Sequence, residues 1–364
     1  MIKIVQKWVD RYFAQEEAVI LLALLVLALV LIVTLGDVLA PVIASVVLAF
    51  MIQGLMENLM RLRIPEPIAL ALSFAIFVGI FLLFLLVLLP LVWNQLRNLV
   101  SDMPQMIDSL RDALMLLPDK YPTLINETRI REMLDNGSRE IARLGQAVFS
   151  FSISHLPGVI GLAIYMIIVP ILVFFFLKDR REILAWIGSL LPANRPQMNR
   201  IWLEMDLQLA NYVRGKGIEI LIVGGVSMLT FMLFGLPYAA LLGFLVGLSV
   251  VIPYVGAIVV TIPVAIVAYF QWGWTADFGY LLLAYLVIQV LDGNVLVPLL
   301  FSEANNLHPI AIILAVLVFG SIWGVWGAFF AIPLATLVKA TMDAWPRSLE
   351  ADVTAAESPP TSSI

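Results

Sequence analysis

The stretch PIALALSFAIFVGIFLLFLLVLLPLVW, residues 67–93, contains no charged side chain. About 20 consecutive apolar residues allow an α-helix to cross the hydrocarbon layer of a bilayer, so this stretch predicts a transmembrane helix. The whole chain has the same character, because 62% of its 364 residues are hydrophobic and 13% are charged. One or two soluble cores could not bury that much apolar surface. The composition therefore indicates an integral membrane protein, with the lipid bilayer as its first partner.

Composition also limits the chemistry. The chain has no cysteine, which excludes disulfides, thiol nucleophiles and thiolate metal sites. Its two histidines, His155 and His308, are far apart in sequence, so we expect no histidine metal cluster. No glycine-rich loop of the kind that cradles phosphates is present, and we expect no ATP-driven step and no cofactor. The net charge of -5 gives no reason to expect a nucleic-acid partner.

Three apolar spans are predicted in the first part of the chain, residues 1–93. Residues 1–17 form an amphipathic, basic start that suits a helix in the headgroup layer. The spans follow at about 18–35, 38–56 and 68–93, with a tight turn at Gly36 and Asp37 between the first two.

The middle of the chain is more polar. Residues 94–156 carry apolar side chains at steps of three and four, which predicts an extramembrane helical region. Its apolar stripe could pack on itself, on the membrane or on another subunit. Residues 157–216 begin with a fourth span, 157–177, and continue as basic cytoplasmic helices. Residues 217–338 are the predicted transmembrane core, and 339–364 a cytoplasmic, largely disordered tail.

Charge predicts the orientation, because short cytoplasmic loops are rich in Lys and Arg. With the N-terminus inside, 14 of the 21 Lys and Arg residues fall on the cytoplasmic side and the short outer loops hold none. We therefore expect a multi-pass protein with both termini in the cytoplasm.

Two stretches of the C-terminal third resemble each other: PYAALLGFLVGLSVVIPYVGAIVVTIPVA from Pro237 and PIAIILAVLVFGSIWGVWGAFFAIPLA from Pro309. Each breaks at glycine and aromatic residues, and each arm is short for a full crossing at ~1.5 Å per residue. We interpret both as helical hairpins that return to the side they entered; two thin spans each is the alternative. The predicted hinge residues are Pro253, Gly256, Gly293, Gly320, Gly324, Gly327 and Pro333.

Each hairpin follows a full span, at 217–234 and 278–301, and the two spans run in opposite directions. The predicted fold is therefore an all-α polytopic membrane protein. It has six full transmembrane helices and two broken hairpins, about eight hydrophobic segments, with an inverted repeat in the C-terminal third. Inverted repeats with broken helices build the midplane site of many secondary transporters.

The segment LDGNVLVP, residues 291–298, places polar residues inside the last full span. An acid in a span costs a few kcal/mol on insertion scales, and function is the usual reason for it. Asp292 and Gln289 share one helix face, while Gly293 and Pro298 loosen the backbone around them. Cation coordination and a proton relay are both open to this set, and a purely structural ion pair is the alternative.

The remaining candidate site residues are less specific. Asn294 lies in the same segment, and Tyr254 and the glycines lie at the predicted hairpin tips. Glu219 lies three residues after Lys216, so an ordinary ion pair at the membrane interface explains it. His308 is expected to cap the second hairpin.

Three blocks together resemble the autoinducer-2 exporter (AI-2E) family of bacterial permeases and its PerM-like branch. They are PYVGAIVVTIPVAIVAYFQWG, LDGNVLVPLLFSEANNLHP and GSIWGVWGAFFAIPLATLVKA, in that order. The resemblance implies an inner-membrane protein that assembles as a homo-oligomer, a pentamer being one expectation, and moves a small solute. It also implies two candidate activities, export of an autoinducer-2-like solute and sodium/proton antiport.

Three classes of function are therefore compatible with the sequence. A secondary transporter or permease for a small solute or cation is favoured by the inverted unit and by Asp292. A membrane scaffold or assembly factor would use residues 94–155 to recruit partners. An intramembrane enzyme would need a paired acid or a Ser/His set on facing spans, and only isolated residues are found, so we expect no enzyme.

Overall fold

In a computed structural model of the chain, the described residues are 16–115, 156–192, 195–253, 255–301 and 307–344. All regular elements in these ranges are helices, so the predicted all-α class is confirmed. The predicted N-terminal headgroup helix, most of the outer region and the C-terminal tail lie outside the described residues.

The helices are numbered in chain order, and two π-helical segments that interrupt them are called π-turns. The α-helices are α1 Glu16–Arg61, α2 Glu66–Leu83, α3 Leu89–Met115, α4 Leu156–Lys178, α5 Arg180–Ser189, α6 Pro196–Leu233, α7 Ala239–Ser249, α8 Val255–Trp272, α9 Ala276–Leu291, α10 Val297–Phe301, α11 Pro309–Phe329 and α12 Ala331–Ala344. The π-turns are Phe84–Leu88 and Asp292–Leu296.

Seven helical stretches of the described residues are long and apolar enough to cross a membrane. They are Val19–Gly36, Val38–Arg61, Glu66–Met106, Pro196–Leu233, Val255–Trp272, Ala276–Phe301 and Pro309–Phe329. The chain is a multi-pass membrane protein. The predicted counts of six full helices and two returning hairpins, and the inverted repeat, stay predictions.

The predicted turn at Gly36 and Asp37 is wrong. Helix α1 runs without interruption through both residues for 46 residues, which is about 70 Å of helix. A glycine inside a helix costs only ~1 kcal/mol relative to alanine. Continuing the helix keeps its backbone N–H and C=O groups paired, which matters more in an apolar environment. The orientation that we counted from Lys and Arg residues used this turn and stays a prediction.

The chain forms two compact units, each described by itself. Unit 1 comprises residues 1–51, 175–214 and 303–364, and unit 2 comprises 52–174 and 215–302. The core of unit 2 is built around α7 and α8, where Leu242, Val246 and Val264 are fully buried. Helices α3, α6 and α9 contribute further core residues, including Val92, Val223, Phe231, Leu281 and Tyr285.

The apolar stripe predicted from residue 94 onward is partly covered within the chain itself. Helices α2 and α3 are joined by the first π-turn, so the span continues directly into the amphipathic segment. Leu96, Leu99, Met103 and Met106 of α3 pack on the core formed by α7 and α8. As far as Met106, the partner of this stripe is therefore the first hairpin of its own unit.

The first hairpin consists of α7 and α8; its break after Ser249 contains Ile252 and Pro253, whereas Gly256, a predicted hinge residue, already lies in α8. The two arms approach so closely at Gly256 that a Cβ there would lie 1.7 Å from the Ser249 carbonyl oxygen. Pro253 lies in the break, and its carbonyl accepts a 2.7 Å hydrogen bond from the Val255 N–H. Glycine at position 256 is thus a steric requirement of the hairpin.

The second hairpin, in unit 1, uses the same device. Helix α11 is broken at Trp323 and Gly324, and Gly324 has a φ of 60°, which favours glycine. A Cβ at Gly327 would lie 1.8 Å from the Phe319 carbonyl oxygen. The non-helical residues lie within the stretch from Gly320 to Gly327 where the sequence predicts a break, and Pro333 is buried in the second arm, α12.

Helices α6 and α7 make backbone contact through glycines. Gly243 and Gly247 of α7 form a GxxxG pair, which allows two helices to approach closely. A Cβ at Gly247 would lie 2.9 Å from the Ile220 carbonyl oxygen, and a Cβ at Gly243 would lie 2.4 Å from the Met228 Cβ. This contact fixes the end of α7 beside the start of the apolar half of α6.

In unit 1, side chains tie the second hairpin and α1 to α6. Tyr212 donates a buried 2.6 Å hydrogen bond to the Phe329 carbonyl, and Arg214 Nε donates to the Phe50 carbonyl at 3.1 Å. His308 Nδ1 accepts from the Ile310 N–H at the start of α11, so its predicted role as a helix cap is confirmed.

Candidate functional site

A buried ion pair on α6 forms the centre of the candidate site. Lys216 Nζ lies 2.8 Å from Glu219 Oε2, and the two side chains are 6% and 2% exposed. The predicted spacing is present, but the pair does not lie in an exposed interface. The membrane-facing surface of a span would not bury both partners in this way, so the pair belongs to the interior of unit 2.

Lys216 also holds the break of the first hairpin. Its ammonium donates a second hydrogen bond, of 2.7 Å, to the carbonyl of Val250. That carbonyl follows directly after the last residue of α7, where a helix has carbonyls without an intrahelical donor. The lysine therefore joins an acid on α6 to the unwound backbone of the hairpin.

Asp292 is the second acid of the cluster. It interacts electrostatically with both Lys216 and Glu219. Its Oδ1 atom is buried and has no hydrogen-bond partner among the described residues, and the same holds for Nε2 of Gln289. Gln289 and Asp292 lie three residues apart, where α9 continues into the second π-turn. This spacing agrees with the prediction that the two side chains share one helix face.

Phe301 closes the cluster on the side of α10. The ammonium of Lys216 lies 5.4 Å from the centre of the Phe301 ring, within the range of a cation–π interaction. Position 215 must be glycine for this contact, because a Cβ there would lie 2.6 Å from Phe301 Cε1.

The backbone around Asp292 departs from regular α-helix and forms the second π-turn. The presence of Gly293 and Pro298 predicted a loosened backbone here. The Val297 N–H bonds the carbonyl of Asp292, five residues back. In this register the partner of the Gly293 carbonyl would be the N–H of residue 298, which is a proline and has none. The first π-turn has the same arrangement, with Pro90 at the matching position. Such π-turns are frequent at functional sites.

Other candidate residues do not join this cluster. Asn294 is exposed, and its amide donates a 2.9 Å hydrogen bond to the Val290 carbonyl of its own helix. Pro298 is exposed too, and Tyr254 lies outside the described residues. Gln53, a polar side chain inside the second predicted span, donates a 2.7 Å hydrogen bond to Glu57 of its own helix, α1.

Sequence reasoning missed Lys216, the Val250 carbonyl and Phe301 as parts of the site. The signal for Lys216 was present, because a lysine between two glycines leads directly into an apolar span in RGKGIEILIV, residues 214–223. The three-residue spacing to Glu219 instead favours an ordinary pair at the membrane interface. The Val250 carbonyl gives no signal in the sequence.

The cluster thus combines one ammonium, two carboxylates and a backbone carbonyl, and the amide of Gln289 lies three residues before Asp292 on the same helical run. The formal sum of its charges is one negative. An unpartnered carboxylate oxygen can accept a proton, a cation or a hydroxyl donor, and the amide can orient a polar ligand. Among the described residues, no group of three or more His, Asp and Glu side chains gathers as a metal site.

Comparison of the sequence with known proteins identifies the family of this chain. Residues 19–347 match the sequence model described as AI-2E family transporter. The chain belongs to this family. A protein of Escherichia coli (strain K12) named as a permease, PerM, is 44% identical over 346 residues, covering 95% of this chain and 98% of that protein. The transport protein named YueF of Bacillus subtilis (strain 168) is 28% identical over 290 residues, 76% of each chain.

A transport protein of Methanothermobacter thermautotrophicus is more distant, with 25% identity over 296 residues that cover 78% of this chain and 84% of that protein. The family description and these names suggest a membrane transporter and fit a protein that is not an enzyme.

Proposed function

We propose that this chain is a secondary transporter of the bacterial inner membrane that exports a small polar solute. Both termini would lie in the cytoplasm, and several copies would form a homo-oligomer, a pentamer being one candidate. The family description suggests an autoinducer-2-like compound as the solute.

One observation carries the proposal: Asp292, which interacts electrostatically with the Lys216–Glu219 pair, presents a buried carboxylate oxygen that has no hydrogen-bond partner among the described residues. Burying an ion costs several kcal/mol even after relaxation, so a membrane protein that needs only packing gains little from two buried ions and a half-buried third. The cluster also lies at the break of a helical hairpin, where secondary transporters place their sites.

The geometry supports a mechanism in which Lys216 is shared. In the structure its ammonium bonds Glu219 and the Val250 carbonyl, while Asp292 Oδ1 has no described partner. A proton or ligand that arrives at Asp292 changes the electrostatic attraction on Lys216. A weaker bond from Lys216 to Val250 would then free the hairpin break to move.

Sodium/proton antiport is the second candidate, and the same oxygen supports it, because carboxylates bind both protons and hard cations. A scaffold or assembly function has less support. Its recruiting surface would be the apolar stripe of α3, which packs on the first hairpin as far as Met106.

The test is a flux assay with purified protein in liposomes against autoinducer-2, sodium and proton gradients. We expect Asp292→Asn to abolish the flux that the wild type shows. Asp277→Asn is the matched control, because Asp277 is an exposed acid in the first turn of the same helix, α9, and should retain full flux. Unchanged flux in Asp292→Asn would remove this cluster from the mechanism. A wild type that moves nothing in the panel but retains a stoichiometric partner would favour the scaffold.

A further inference from the structure

Helix α7 is held at both ends by side chains of other helices. At its start, the Leu241 N–H donates a 2.8 Å hydrogen bond to Gln95 Oε1 of α3. Two turns further along α3, Asp102 accepts a hydrogen bond from the hydroxyl of Tyr238, the residue directly before α7. At its other end, the Val250 carbonyl is bound by Lys216.

The connection into α7 is narrowly defined. Tyr238 adopts a φ of 60°, a left-handed conformation that side chains other than glycine adopt rarely. Such a conformation persists only where surrounding contacts impose it. Here the contact is the bond to Asp102, together with the 2.9 Å bond from the Leu242 N–H to the Tyr238 carbonyl.

Between its two ends α7 is short and rigid. Its 11 residues span about 16 Å, and residues 239–243 as well as Val246 and Gly247 are buried. A close-packed interior transmits a displacement because it has low compressibility. Its contact with α6 is made by the backbones of Gly243 and Gly247, which lie directly against Met228 and against Ile220 and Gly224 of α6. Small sliding movements of packed helices are a common form of conformational change.

We propose that Gln95, Tyr238 and Asp102 are positioning residues that set the polar site from a distance, with α7 as the rigid connector. Helix α3 thereby controls how the Val250 carbonyl meets Lys216. This inference rests on the proposed function, because it treats the Lys216 cluster as the site that is controlled.

The chemistry of the contact suits a permanent connector. Burial and the neighbouring Asp102 raise the pKa of Tyr238 to about 12. The phenol therefore stays protonated and continues to donate to Asp102 throughout the pH range in which membrane transport operates.

The test uses thiol reactivity, for which a chain without cysteine is well suited. Ile252→Cys reports on the hairpin break and Ala240→Cys on the start of α7, in protein reconstituted into lipid nanodiscs. Gln95→Met removes the acceptor and keeps the side-chain length. We expect it to raise the labelling rate at position 252 about fivefold, the effect of losing one hydrogen bond. Lys216→Met should raise the same rate from the other end.

Two further variants separate transmission from local fraying. The double variant Gln95→Met/Lys216→Met should label position 252 no faster than the faster single variant, because both act on one element. Arg97→Met is the control, since Arg97 is exposed on α3 and bonds Asn94 of the same helix. If Gln95→Met raises labelling at 240 and leaves 252 unchanged, the inference is overturned. If Gln95→Met does not fold, Tyr238→Phe replaces it with the same expected result.

The readout also separates this inference from the proposed function. Flux that survives Asp292→Asn would end the proposed function and leave the labelling result intact. Unchanged labelling at 252, with flux lost in Asp292→Asn, would end only this inference.

Discussion

Replacing Lys216 by methionine tests the buried cluster most directly. The side chain loses its charge and keeps a similar length, so packing changes little. Glu219 would then remain buried at 2% exposure with no ammonium beside it, and the Val250 carbonyl would lose its donor. Both losses act in the folded state, so we expect the variant to be strongly destabilised.

The magnitude follows from the burial of both partners. Removing one member of a buried ion pair costs about 3–5 kcal/mol, because an uncompensated charge is left in the interior. Lys178→Met gives the matched control, since Lys178 is 53% exposed and lies 3.7 Å from Asp179. An exposed pair of this kind is worth about 0–1 kcal/mol.

The assay is reversible unfolding in mixed micelles with increasing SDS, followed by circular dichroism. The double variant Lys216→Met/Glu219→Met should recover at least half of the loss, because no carboxylate is then left unpaired at position 219. The reasoning is refuted if Lys216→Met costs no more than Lys178→Met. It is also refuted if the double variant is as unstable as the single one.

Three further predictions concern the rest of the chain. Gly256→Ala should open the first hairpin and lower the yield of folded protein, because the added Cβ would meet the Ser249 carbonyl. Gly79→Ala is the control and should have no effect, because nothing lies within 4 Å of a Cβ at that position. Size-exclusion profiles of the two variants check both expectations. If α1 continues through an apolar layer, the cysteine of Val38→Cys should react slowly with a membrane-impermeant thiol reagent. Rapid labelling at position 38 would instead favour the turn predicted from the sequence. Asp102→Asn should lower the pKa of Tyr238 from about 12 toward 10, seen as phenolate absorbance at lower pH, and an unchanged titration would contradict the contact.

Much of the fold can be predicted from local signals. Long apolar runs predict the spans, and the breaks of both hairpins lie where proline, glycine and aromatic residues interrupt those runs. The loosened backbone near Asp292 was also predicted, because Gly293 and Pro298 weaken a helix wherever they lie. In each of these cases a few neighbouring residues decide the conformation.

The failures have a common physical reason as well. At Gly36 the sequence suggests a turn, but one glycine costs ~1 kcal/mol and cannot overcome a continuous helix in an apolar environment. The burial of Lys216 depends on a carbonyl 34 residues away, which is placed by the glycine contact of α6 with α7. No local pattern encodes such a contact.

The second π-turn also sets the angular relation between Asp292 and Phe301. In a plain α-helix each residue turns by about 100°, so nine residues would place these two side chains on opposite sides. The extra residue of the π-turn takes back about one such step and brings the phenyl ring round to the lysine that Asp292 also faces. Converting the π-turn to plain α-helix without changing the number of residues would therefore swing the phenyl ring of Phe301 away from Lys216 without altering any group that carries charge.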